Sequence, residues 1–300
     1  MGNTSIQPGG ESAHRVNPPA PAAPSAASSW TEQYKADLTT QAAHSFTDGV
    51  PHAIEGVDWE SQNAAKADAG SPSLGGSGLE ILLSSAGTSN RWFSYDQTGP
   101  AVMAALSDLV SGYGPSDTIA VQALVDLNIT DPGTGNSAIA FGLLCSDGAF
   151  GPTSPNPGGR WHYSTIYTNT ATNYDLSRSG GGPLNNMGNP YFLQAIGAGT
   201  TRQALCEMII FPGGGWVATV TADTDFIEPL TGVGTVSYGS MQSRVSGQVF
   251  NNPSASPGPS FDLTPARRHV GMMGYYQTLG GARDATITLT TTAIRVMKRA

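Results

Sequence analysis

The chain has 300 residues, of which only 12% are Asp, Glu, Lys or Arg, about half the usual share of ~25%. That scarcity excludes a coiled coil or helical bundle, and 39% hydrophobic residues exclude charge-rich disorder. A net charge of −8 argues against non-specific nucleic-acid binding, while 38 Gly and 21 Pro point to a loop-rich, all-β chain.

Residues 1–30 come first as an extended arm. Through Ser29 they hold five Pro, six Ala and no aromatic residue, so nothing there can build a core. The opening MGNTSIQPGG has neither a basic n-region nor an apolar h-region, and Ile6 stands where myristoylation needs Ser or Thr. No apolar run approaches ~18 residues, so membrane insertion is not expected. Residues 31–300 form the body. Its charges are split: 14 acids and 3 bases over 31–150, against 7 acids and 10 bases over 151–300. Surfaces of opposite sign would let copies attract one another, and a homo-oligomer is the expectation.

The first candidate site is EGVDWE, with Glu55, Asp58 and Glu60. Glycoside hydrolysis needs two carboxyl groups flanking one bond, and sandwich enzymes supply them from alternate positions of a strand. Here the steps are three and two residues. On a regular strand Asp58 and Glu60 share a face while Glu55 points away, beside a buried Trp59.

Pro100–Val110 reads as the single short helix, with Val102, Met103, Leu106, Leu109 and Val110 on one stripe and Gly112 and Gly114 ending it. Residues 118–130 then alternate strictly, Ile119 through Ile129 on one face, over about 40 Å at ~3.3 Å per residue. SAIAFGLLCS (137–146) is continuously apolar, as a central strand covered on both faces should be. Cys145 and Cys206 lie in separate apolar runs and read as buried free thiols, with a disulfide as the alternative.

WHYSTIY places Trp161, Tyr163 and Tyr167 on one strand face beside the Gly/Pro-rich loop 147–159. Such rings either fill a core or stack on the apolar faces of sugars. RWFSY (Trp92, Tyr95) and Tyr275–Tyr276 have the same two readings. Two more long loops, 178–190 and 251–260, are rich in Gly, Pro and Asn, and loops of this length commonly carry function or interfaces.

RQALCEMIIF, FPGGG and WVATVTADT read as a hairpin. Just beyond it Asp223, Asp225 and Glu228 could offer oxygen ligands to Ca²⁺ or simply form an acidic turn. HVGMMGYYQT and DATITLTTTAIRVMKR look like a last strand pair. In the latter, Ile287 and Leu289 share one phase while Ile294 and Val296 share the other. A strand cannot change face without an extra residue, so a β-bulge is predicted among Thr290–Ala293, with Thr286, Thr288 and Thr290 on the wet side.

Catalytic and nucleotide motifs are absent: there is no G-x-S-x-G, H-E-x-x-H or G-x-x-x-x-G-K-[ST]. The five histidines, His14, His44, His52, His162 and His269, show no metal-ligand spacing. No metal or other cofactor is expected.

The segments LCEMIIFPGGGWVATVT and RRHVGMMGYYQTLGGARDATITLTTTAIRVMKR together resemble concanavalin A-like (laminin-G-like) jelly-roll sandwiches, frequent in structural proteins of tailed phages. The resemblance implies an all-β, antiparallel two-sheet jelly roll. It also implies a non-enzymatic virion protein of decoration, spike or fibre type, docked on capsid or tail subunits through residues 1–30. Two alternatives stay open: a carbohydrate-binding adhesin using Trp161, Tyr163 and Tyr167 on a surface glycan, and a glycoside hydrolase centred on Glu55, Asp58 and Glu60.

Overall fold

The computed structural model describes residues 29–62, 64, 72–84, 100–114, 116–131, 137–146, 161–168, 174–175, 181–182, 185–186, 195–196, 201–212, 216–222, 224–229, 240–245, 248–251, 269–278 and 286–299. The arm before Ser29, the pair Trp92 and Tyr95, and most of the three long loops lie outside them.

The first strands are β1 (Thr31–Asp37), β2 (His44–Ser45), β3 (His52–Ile54), β4 (Val57–Gln62), β5 (Ser73–Gly75), β6 (Gly78–Ser84) and β7 (Ala101–Ala105). The middle of the chain supplies β8 (Thr118–Asp131), β9 (Ser137–Ser146), β10 (Trp161–Thr168), β11 (Tyr174–Asp175), β12 (Gly181–Gly182), β13 (Asn185–Asn186) and β14 (Ala195–Ile196). Last come β15 (Thr201–Ile210), β16 (Trp216–Ala222), β17 (Ser240–Val245), β18 (Gln248–Asn251), β19 (His269–Thr278) and β20 (Thr286–Arg299). A 3-10 turn (Leu38–Thr40) and a one-turn helix α1 (Leu106–Leu109) complete the described elements.

Two large sheets result. One runs β18-β17-β16-β15-β8-β20-β6-β5-β2, with β1 added on β20; the other runs β14-β11-β10-β9-β19-β7-β4-β3. Among the described ladders all are antiparallel except β16 with β17. This is the antiparallel two-sheet jelly-roll sandwich expected from the sequence. Between the sheets lies a core to which both contribute: Val121, Ala123, Cys206, Met208, Ile294 and Val296 from the first, Trp59, Val102, Ala104, Leu143, Val270 and Met272 from the second. Cys206 is buried and is in no disulfide; Cys145 lies in β9, but its side chain is outside the described ones.

The predicted helix over 100–110 is corrected. Ala101–Ala105 is a strand, and helix covers only Leu106–Leu109. Strand β7 is clamped between β4 and β19, and Ala101–Ala104 are all buried. A strand covered on both faces is continuously apolar and therefore also satisfies a helical stripe, so burial between two neighbours overrode the pattern.

The last two strands are also not a pair. Strand β19 lies between β9 and β7 in one sheet, and β20 between β8 and its partners β1 and β6 in the other, so the two strands belong to different sheets. The bulge is present: the β20–β8 register shifts between Thr291 and Ala293, which lets Leu289 and Ile294 both reach the core. Thr288 and Thr290 are half-buried, Thr291 fully buried.

The other face of the first sheet is covered too. Ala120, Ile209, Phe211 and Met297 pack with Trp30, whose ring lies 5.0 Å beneath the Arg299 guanidinium. Next to this cluster runs a polar row, Lys35–Arg295–Gln122–Glu207, one residue per neighbouring strand. Residues 224–229 cross over the row. The Ile227 carbonyl accepts hydrogen bonds from Gln122 Nε2 (3.0 Å) and an Arg295 guanidinium nitrogen (2.7 Å), and the Phe226 ring sits 4.7 Å from Arg295. Gln122 also donates to Glu207, and its Oε1 accepts from Arg295 at 2.6 Å. The buried Glu207 carboxylate thus has the Gln122 amide as a donor in place of water.

Candidate functional site

The site is built on the β3–β4 hairpin. Its two-residue turn is Glu55–Gly56, both at positive φ (49° and 79°), the conformation that a type I′ turn requires. Glu55 therefore stands in the turn and not on a strand, and its carboxylate accepts a hydrogen bond from Gln41 Nε2 at 2.8 Å. That tie separates Glu55 from the other two carboxylates of the predicted triad.

Trp59 sets the direction of the remaining pair. It is fully buried, and its indole N–H donates to the Tyr34 hydroxyl at 3.2 Å, which in turn donates to the Ile54 carbonyl at 3.0 Å. Strand alternation then turns Asp58 and Glu60 to the other face, where both are exposed. Desolvation is the main cause that pushes the Tyr34 phenol up to about 12 from 10.0; the bond from Trp59 opposes it.

Asp58, Glu60 and Gln62 line one side of a cavity of about 320 Å³. Asp108 of α1 and His269 of β19 line the rest, over a floor of Met103 and Ala105. Gln62 continues the alternation of Asp58 and Glu60 and is legible in DWESQ. His269 is not, because 207 residues separate it from Gln62 and only the β7–β19 ladder brings it in.

The second candidate cluster lies on the same sheet. Backbone register defines cross-strand rows: Trp161–Ser146–His269–Ala105, then Tyr163–Leu144–Gly271–Met103–Glu60, then Thr165–Gly142–Met273–Ala101–Gln62. Tyr167–Ala140–Tyr275 forms a further row. Alternate positions of a strand share a face, so the positions of Trp161, Tyr163 and Tyr167 fall on the face that carries Asp58, Glu60 and His269. Two motifs that are separate in the sequence belong to one surface.

The Ca²⁺ candidate is placed elsewhere. Asp225 and Glu228 are exposed, and Asp225 accepts a hydrogen bond from the Phe226 backbone N–H at 2.7 Å; Asp223 lies outside the described residues. Among the described residues no three His, Cys, Asp or Glu side chains gather as a metal would require.

No family model matches the chain, and no curated protein matches it. Solved structures do. A protein of unknown function from Shewanella oneidensis MR-1 is 12% identical, with a TM-score of 0.40, covering 92% of this chain and 89% of that one. The carbohydrate recognition domain of Emp47p is 8% identical (TM-score 0.37, 91% and 98% covered). A carbohydrate esterase from the Shiga toxin-encoding bacteriophage phi24B is 10% identical (TM-score 0.36, 90% and 100% covered). The likeness is one of fold. One expectation is corrected: the sequence reads as non-enzymatic, but a fold does not decide function, so a sandwich of this kind gives no ground for excluding catalysis.

Proposed function

We propose that this chain is a carbohydrate-binding sandwich that holds its glycan on the outer face of the eight-stranded sheet. One observation carries the reading: Glu60 and Tyr163 end the same cross-strand row, so the acidic cavity and the aromatic strand share one face. The row spans four strand spacings, about 19 Å, which suits an oligosaccharide better than a single sugar. Carboxylates accept from sugar hydroxyls, and aromatic rings stack on sugar C–H faces. A glycan array probed with the full chain tests this, followed by titration of the best ligand against Glu60→Gln. No binding above background, or unchanged binding by the variant, overturns the reading.

A second reading rests on Asp58 and Glu60 themselves. They stand on the same face of β4 and both line the cavity, and a pair of carboxyl groups at one bond is what glycoside hydrolysis requires. New reducing ends released from a bound glycan, and lost in Asp58→Asn, would make the protein a glycoside hydrolase.

For the biological setting we infer a virion or similar particle, with residues 1–30 docking the body and copies associating as oligomers. The Pro/Ala composition of the arm and the opposite charge balance of the two halves support it. Sedimentation of the full chain and of a form lacking residues 1–28 tests the association.

A further inference from the structure

His44 of β2 and His52 of β3 stack face to face, with ring centroids 3.7 Å apart and planes 6° from parallel. Phe46 meets both rings edge-on, at 4.9 and 5.8 Å. β2 ends the ten-stranded sheet and β3 ends the eight-stranded sheet. The three rings therefore join the two sheets at one side of the sandwich, and two of the three can take up a proton near neutrality.

Among the described residues the surroundings offer little to neutralise such protons. β2, β3 and β5 contain no Asp, Glu, Lys or Arg. On β4 the charged residues Asp58 and Glu60 alternate with Trp59, the cross-strand partner of His52, and so face away from the rings. Asp48, in the connecting segment, is held by Ser61 Oγ (3.1 Å) and the Ala64 N–H (2.9 Å), and Glu55 is held by Gln41. His44 Nε2 is buried without a hydrogen-bond partner, so an added proton there would point at no acceptor.

We propose that the His44–His52 stack is an acid-sensitive latch: neutral rings hold the two sheet edges together, and protonation of the pair parts them and loosens the β3–β4 hairpin that bears Asp58 and Glu60. Two imidazolium rings in stacking contact repel, and a proton on the buried His44 Nε2 meets no acceptor. Burial, and then the neighbouring His44, hold the His52 imidazole below its ordinary 6.5. The sign follows from linkage. Unfolded His52 binds its proton at higher pH than folded His52, so the stack's contribution is present above about pH 6.5 and is lost as the pH falls through the folded value.

The test uses the full chain. Imidazole NMR spectra recorded through the acid range should show His52 titrating below its ordinary value. Amide protection factors, which remove the intrinsic pH dependence of exchange, should fall about tenfold over residues 44–60 between about pH 7.5 and about pH 5. His52→Phe keeps a ring against His44 but removes the repulsion between two charged rings; its protection over the same residues should fall clearly less between the two pH values. If that variant does not fold, His44→Phe asks the same question from the other strand. Ordinary titration of His52, or an equal loss of protection in the Phe variants, overturns the proposal.

Discussion

Glu60 on β4 and Tyr163 on β10 stand at the two ends of one cross-strand row, joined through Met103, Gly271 and Leu144. A glycan lying along that row would meet a carboxylate at one end and an aromatic position at the other. Glu60→Gln should weaken binding about tenfold, the value of one charge-assisted hydrogen bond, and Tyr163→Ala about 2- to 12-fold. Calorimetric titration of one array-selected oligosaccharide measures both. Equal affinity in both variants removes the row from the binding site.

Gly271 lies in the middle of the same row, and there the backbones leave no room for a side chain. A Cβ would fall on the Val102 carbonyl oxygen and within 2.7 Å of Met103 Cα, both of β7. Gly271→Ala must push β19 from β7, and should cost about 1–3 kcal/mol in urea unfolding. Because Met103 floors the cavity, the same variant should also weaken glycan binding.

Tyr34 links β1 to the hairpin beneath the site through its bonds with Trp59 and Ile54. Its phenol ionises near 10.0 when unfolded and about 12 when folded. Unfolded chains therefore lose this proton first, and stability should fall as the pH rises above about 10. Tyr34→Phe should be less stable near neutrality by about 1–2 kcal/mol, since the Trp59 N–H loses its acceptor. It should also show a shallower alkaline decline in thermal melts. A variant that declines as steeply as the wild type would place the alkaline sensitivity elsewhere.

Arg295→Met leaves the Gln122 and Ile227 oxygens without a charged donor beneath residues 224–229. A loss of about 1–3 kcal/mol is expected, with faster amide exchange confined to that covering segment. Glycan binding, on the other sheet, should be unchanged. A binding defect would show that the two sheets do not act separately.

Much of the fold is legible in the order of the residues. Ile119 through Val125 alternate because one face of β8 meets the core, and the change of phase between Leu289 and Ile294 reveals the bulge because side chains alternate strictly along a strand. Local patterns of this kind survive folding unchanged. Ala101–Ala105 read as helix because burial on both faces erases the alternation that distinguishes a strand. The separation of β19 from β20 is not legible, because adjacency in sequence does not say which sheet a strand joins.

The candidate site divides in the same way. Sequence alone determined that Asp58 and Glu60 share a face and that Trp161, Tyr163 and Tyr167 alternate, since both follow from the two-residue repeat of a strand. It also determined the scarcity of charge and the all-β character. That the two groups occupy one surface, that His269 joins Asp58 at a cavity, and that His44 meets His52 across the sandwich edge were decided only by tertiary structure. Each depends on strand order and register, which long-range hydrogen bonding and burial set between segments far apart in the chain.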